Sequence, residues 1–329
     1  MKMRFVENAR VLVTGGAGFI GSNLVDSLLA HDNDVVVLDN FATGRIENLA
    51  GCLKNPHFHL IFGDIRDMEK CRQAVDGVDF VLHEAALGSV PRSIKNPMAT
   101  VEVNICGFVN MLFAAQQVKV KRFIYATSSS VYGDSKTLPK VEDSIGRPLN
   151  PYAITKHVDE LFADNFARLY GAKTIGLRYF NVFGRRQDPA GAYAAAIPKF
   201  AAALLKHESP VIHGDGSFSR DFTYIDNVIQ ANMRALTVED PEAFNQVYNI
   251  AFGVQTTLND LFSQLRATLA VFDPRVASVK AVYDPVRTGD IPHSLACIDK
   301  ARKVLGYKPE FNVQQGLERA AQWYFENLV

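Results

Sequence analysis

The stretch VLVTGGAGFIG, residues 11–21, decides the fold. An apolar, β-branched run at 11–14 reads as a short buried strand, and it leads into glycines spaced G-x-x-G-x-x-G that open a helical pattern over 18–30. Glycine lets the backbone turn tightly and approach a pyrophosphate, whose charge then rests on N–H groups at the helix N-terminus. Gly15, Gly18 and Gly21, with Phe19 and Ile20, therefore form the expected dinucleotide cradle. A glycine triplet alone would mark only a tight turn. The strand before it and the helix after it carry the functional reading.

Working outward, a second strand at 35–39 ends in Asp39, 18 residues after Gly21. A carboxylate there can accept the ribose hydroxyls of an adenosine and would repel a 2′-phosphate, which favours NAD over NADP. Arg45 nearby keeps the phosphorylated form open. Asn40 follows Asp39, and Gly63, Asp64 and Ile65 end a third strand at 60–63, where they would frame the adenine. Asp64 could equally cap the next helix.

Further strand patterns fall at 80–83, 123–127 and 174–178, and helical ones at 68–75, 98–118 and 151–170. All the strands read as buried on both faces. Alternating strand–helix units give an α/β fold, a doubly wound parallel sheet of Rossmann type. Beyond Arg178 the texture shifts to Pro- and Gly-punctuated segments, consistent with a second, smaller substrate-binding lobe. The expected division is a dinucleotide-binding domain over 1–180, rejoined by 221–251, and a lobe over 181–329.

The chemistry-bearing residues sit at the carboxyl end of this sheet. Tyr152 and Lys156 occur four apart near a helix start signalled by Asn150 and Pro151, so they share a face. A phenol titrates near ~10 and is a poor base at neutral pH, but a neighbouring ammonium and a cationic nicotinamide favour the phenolate. Such a tyrosine can take a proton from a hydroxyl as hydride departs. The strand at 123–127 delivers Ser128, which can hydrogen-bond the same hydroxyl. Y-x-x-x-K alone is an ordinary surface pair, and its position in the fold is what gives it weight.

Composition closes off other classes. Lys plus Arg and Asp plus Glu both number 35, so no surplus charge exists to hold nucleic acid or an anionic membrane. Cys52, Cys71, Cys106 and Cys297 form no C-x-x-C pair and read as reduced, buried thiols. The N-terminus lacks a signal-peptide pattern, no later stretch reads as long enough to span a bilayer, and a cytoplasmic protein is expected. There is no G-x-S-x-G and no H-E-x-x-H. His57 and His59 alternate on an exposed strand, and no histidine is assigned to a metal.

Taken together, TGGAGFIGSNLV (14–25), SSSVYGD (128–134), NPYAITK (150–156), LRYFNVFGRRQDP (177–189), GDGSFSRDFTYIDN (214–227) and RTGDIPHS (287–294) resemble the extended short-chain dehydrogenase/reductase family. The likeness is to its UDP-sugar 4-epimerases, those acting on UDP-N-acetylglucosamine in particular. It implies a catalytic group of Ser128, Tyr152 and Lys156. It also implies NAD contacts from Gly44, Ala85 and Tyr179 beside those already named. A UDP-sugar would be held by Ser89, Ser129, Asn181, Val211, His213, Arg220, Arg287 and Asp290. Ser294 would act as a size gate that admits a 2-N-acetyl group. The implied reaction is reversible C4 epimerisation through a 4-keto sugar with transient NADH, in polysaccharide biosynthesis. A nucleotide-sugar 4,6-dehydratase or decarboxylase on the same scaffold is the alternative, although the dehydratases carry an Asp-Glu pair where this chain has Ser129 and Ser130. The likeness also implies a homodimer built on the helices at 98–118 and 151–170. Glu84, in His83-Glu84-Ala85-Ala86, and Cys297 depart from the family pattern.

Overall fold

The computed structural model describes residues 5–189, 195–286 and 291–328. Seven strands pair in parallel into one sheet: β1 (Arg10–Thr14), β2 (Asp34–Asp39), β3 (Phe58–Phe62), β4 (Phe80–His83), β5 (Arg122–Ser128), β6 (Thr174–Tyr179) and β7 (Gln246–Ile250). Their spatial order is β7-β6-β5-β4-β1-β2-β3. The winding direction reverses between β1 and β4, and an open α/β sheet binds its ligands above such a switch point.

Alternate residues of the inner strands face opposite layers, as the period of two requires. Val11 and Val13 of β1 join Val35 and Val37 of β2 against Leu24, Val25 and Leu28 of the helix Phe19–Leu29. Leu12, Val36 and Leu38 point the other way, toward Phe108, Met111 and Leu112. Each of these side chains contributes ~1.5–3 kcal/mol by leaving water. The rule of two buried faces fails at β3, where Phe62 is 67% exposed. β3 is the sheet edge, with β2 as its single neighbour, so its outer positions have nothing to pack against.

The segment Pro97–Gln117 corrects two expectations. It is 21 residues long with a mean hydropathy of 1.5, so by length and composition it could cross a bilayer after all. In the fold it is a core helix that packs against the helices Met68–Ala74 and Pro151–Tyr170. Its middle, Glu102–Gly107, is π-helical. Its outward side leaves Cys106 exposed, while Cys297 is half-buried, so only Cys52 and Cys71 are buried thiols. Burial pushes both of those up to about 12.

After β6 the chain builds a set of helices, Ala196–Leu205, Leu258–Ala270 and Val313–Asn327, which pack on one another. Between them lie short strand pairs, Val211–His213 with Val282–Asp284 and Ser219–Asp221 with Gln255–Thr257. Phe183, Phe200, Leu265, Leu317 and Tyr324 continue the same apolar cluster that lies under β1. The helix Ile225–Thr237 returns to the sheet against β5 and β6, and β7 follows it.

Candidate active site

The glycine turn leaves β1 with Gly15 at φ 67°, a left-handed conformation open to glycine at little cost. Its N–H donates to Leu38 O at 2.9 Å, and its carbonyl accepts from Gly18 N at 3.0 Å. A Cβ on Gly21 would sit 2.2 Å from Gly15 O. No side chain caps the helix that begins at Phe19, so its first N–H groups face the cavity above. That cavity, of about 650 Å³, runs along the carboxyl ends of the strands.

Gly15, Gly18, Phe19, Ile20, Gly21, Asp39, Asn40, Asp64, Ile65, Ala85, Tyr152, Lys156 and Tyr179 all line it, as do Ser89, Ser128 and Asn181. Asp39 is gripped by backbone donors, Ala17 N to Oδ2 at 2.8 Å and Phe41 N to Oδ1 at 2.7 Å. Asn40 donates to Asp64 at 2.7 Å. Hydrogen bonds from Arg66 hold the Asp64 carboxyl down at about 2. Arg45 is ion-paired with Asp188 at 2.8 Å.

Gly44 is not part of the lining. It packs beneath the turn, where an added Cβ would come within 2.8 Å of the Ala17 backbone.

The helix Pro151–Tyr170 has the bounds read from the sequence, because Asn150 caps it through Ala153 N at 2.9 Å and Gly171, at φ 70°, ends it. One turn carries Tyr152 and Lys156 onto the cavity wall. Lys156 Nζ donates to Ala126 O at 2.9 Å and to Asp159 Oδ2 at 3.2 Å. Burial works against the Lys156 ammonium, but Asp159 and Tyr152 outweigh it and its pKa lies above the ordinary lysine value. Ser128 ends β5 and accepts from Ser130 N at 3.2 Å. Ser129 begins the turn behind it and does not line the cavity.

Two residues near this end were not assigned a role from the sequence. Asn104, in the π-helical turn, donates to Thr155 Oγ1 at 3.1 Å and accepts from Leu87 N at 2.8 Å. It ties the helix of Tyr152 to the loop after β4. Glu84, which departs from the family pattern at a place where it can alter the cofactor pocket, lines the cavity and accepts a 2.8 Å hydrogen bond from Tyr179 OH.

A second cavity, of about 260 Å³, adjoins the first and shares Asn181 and Val182 with it. Val211, His213 and Arg220 line it, together with Phe218. Asn181 donates to Asp221 O at 3.0 Å, and Arg220 donates to Ser219 O at 3.0 Å. Ser294 lies outside both linings, with its N–H on Ser219 O at 3.1 Å. Arg287 and Asp290 fall outside the described residues.

Residues 11–251 match the family described as NAD dependent epimerase/dehydratase. A putative UDP-glucose 4-epimerase of Methanocaldococcus jannaschii is 36% identical over 96% of this chain and 99% of its own. The solved UDP-N-acetylglucosamine 4-epimerase of Methanobrevibacter ruminantium, in complex with UDP-N-acetylmuramic acid, superposes with a TM-score of 0.91 at 36% identity, covering 98% of this chain and 99% of that one. A UDP-glucuronic acid 4-epimerase of Bacillus cereus, solved with UDP-glucuronic acid and NAD, gives 0.87 at 31% identity, covering 96% and 99%.

The site fits NAD on its own evidence: a glycine-rich turn, uncapped helix N–H groups and a fixed carboxylate at the end of β2 lie along one cavity. With family motif, sheet order and cavity in agreement, the chain belongs to the NAD dependent epimerase/dehydratase family, within the extended short-chain dehydrogenase/reductases.

Proposed function

We propose that this NAD-dependent UDP-sugar 4-epimerase acts by preference on N-acetylated hexoses, interconverting C4 isomers through a 4-keto sugar. One observation carries the reading. Ser128, Tyr152 and Lys156 line the dinucleotide cavity, and the cavity of His213 and Arg220 adjoins it through Asn181 and Val182. A sugar tethered through its diphosphate in the second cavity would present C4 to the phenol of Tyr152.

In this reading Tyr152 takes the C4 hydroxyl proton and returns it. Lys156 supplies the positive charge that compensates the phenolate, and Ser128 orients the hydroxyl. NAD supplies the hydride acceptor and donor when bound. Arg220 and Asn181 grip the nucleotide while the ketone turns its other face, and Arg287 and Asp290 belong to the same grip. The dinucleotide domain is 1–180 with 221–251, and 181–329 supplies the sugar-nucleotide lobe.

The N-acetyl preference rests on Gly88 and Ser89 at the cavity wall, where small side chains leave room for a 2-N-acetyl group, and on likeness to an epimerase that acts on UDP-N-acetylglucosamine; Ser294, outside both linings, does not carry it. Elimination chemistry lacks its acid–base pair, since Ser129 and Ser130 follow Ser128. The protein pairs as a homodimer through the helices Pro97–Gln117 and Pro151–Tyr170, whose outward Met98, Ile154, Leu161 and Leu169 are 48–65% exposed.

Incubating the purified protein with UDP-hexoses, their N-acetyl forms and their uronic acids, and resolving C4 isomers by NMR, tests the reading. Faster turnover of the N-acetyl pair supports it. Preference for a plain hexose or a uronic acid overturns the preference, and a product lighter by water or carbon dioxide overturns epimerisation.

A further inference from the structure

Glu84 is a carboxylic acid in the wall of the cavity that Tyr152, Lys156 and Tyr179 also line. It follows β4 directly, its N–H on Thr14 O at 3.2 Å, so its backbone is fixed between the two strands of the switch point. Tyr179, from β6, donates its hydroxyl to Glu84 Oε1 at 2.8 Å, and Asn232, from the helix Ile225–Thr237, donates to that hydroxyl at 2.9 Å. The helix Pro151–Tyr170 contributes Lys156, close enough for its charge to act on Glu84, with Tyr152 and Asp159 beside it. On its own strand His83 is buried against Thr14 Oγ1 at 2.9 Å, and burial drives it down to about 3, so it is neutral.

We infer that Glu84 sets how readily the bound dinucleotide is reduced, through a carboxyl held at the end of the cavity lined by Ser128, Tyr152 and Lys156. The inference rests on NAD occupying that cavity. An oxidised nicotinamide ring is a cation and a reduced one is neutral. An anionic Glu84 therefore favours the oxidised form and opposes the effect of Lys156, while a protonated Glu84 leaves Lys156 unopposed. Burial lifts Glu84 to about 7, with the Tyr179 hydrogen bond and Lys156 pulling back, so the carboxyl changes charge in the neutral range. Asp159 is also lifted to about 7 by burial, but it is bonded to Lys156 and acts through it.

The test is a binding ratio and needs no sugar substrate. The protein is equilibrated with mixtures of oxidised and reduced dinucleotide from about pH 5.5 to about pH 9, a span that brackets the titration. Bound reduced dinucleotide is read by its near-ultraviolet absorbance and normalised to the free mixture. The wild type should shift toward the oxidised form by on the order of tenfold as pH rises through neutrality. Glu84→Gln, which keeps an oxygen for the Tyr179 hydroxyl, should hold the acid-side ratio throughout, whereas Asp159→Asn should retain the transition. Tyr179→Phe removes a donor to the carboxylate and should move the transition to higher pH. A wild type without a transition, or a Glu84→Gln protein that keeps one, overturns the inference. If the wild type binds neither form, the cofactor premise falls with it.

Discussion

Arg178 on β6 and Glu160 on the helix Pro151–Tyr170 meet in a buried fork, Nε to Oε1 at 2.9 Å and Nη2 to Oε2 at 2.7 Å. Thr127, one residue before Ser128, donates to the same Oε1 at 2.7 Å. Arg178 also donates to Tyr132 OH at 3.0 Å and to Glu142 O at 2.8 Å. The fork thus joins the strand that ends in Ser128 to the helix that carries Tyr152 and Lys156. The spacing of the catalytic groups depends on a polar network beneath them as well as on the apolar core.

Breaking that fork from one side leaves a buried charge unanswered. Arg178→Met should cost about 3–5 kcal/mol in denaturant unfolding. Burial opposes the Glu160 carboxylate, but Arg178 outweighs it and holds the pKa at about 2 against an ordinary 4.5. A depressed carboxyl contributes stability above pH ~4.5 that is lost as pH falls toward ~2. Unfolding of Glu160→Gln should therefore depend less on pH in that window, and an unchanged acid limb would contradict the assignment.

Tyr152→Phe keeps the ring and removes the proton carrier. Turnover should fall by about 10²–10⁴-fold, with the circular dichroism spectrum and dinucleotide content unchanged. Full activity in this variant would end the role given to Tyr152.

Asp159→Asn should lower the pKa of Lys156, since the Asp159 charge, working against burial, helps hold that ammonium up. The ammonium is then lost at a lower pH. The alkaline limb of kcat should move toward neutrality, and an unmoved limb would show that Asp159 does not act through Lys156.

Gly21→Ala puts a methyl group 2.2 Å from Gly15 O, so the turn must open and dinucleotide retention should be lost. Gly51→Ala, where nothing lies within 4 Å, is the matched control. It should stay within about 0.5 kcal/mol of the parent. Equal retention in both proteins would separate the turn from cofactor binding.

Leu161→Glu, on the exposed face of the helix Pro151–Tyr170, should convert a dimer into a monomer in sedimentation velocity without changing dinucleotide content. A monomeric wild type would refute the pairing of these helices.

The sequence by itself determined the sheet class, the turn that holds a dinucleotide and the bounds of the helix Pro151–Tyr170. Each is written in short-range chemistry: β-branched runs, glycines at fixed spacing, and an Asn150–Pro151 start with a Gly171 stop. Tertiary structure decided what lies between distant segments. Glu84 meets Tyr179 across 95 positions, and Asn104 meets Thr155 across 51, pairings that no local pattern encodes. Strand order, not strand composition, left β3 exposed at the sheet edge, and packing around Pro97–Gln117 turned a membrane-length apolar run into a core helix with one outward face. Residue type and periodicity act over a few positions, whereas burial, and with it the charge state of a carboxyl, is set by whatever the fold brings alongside.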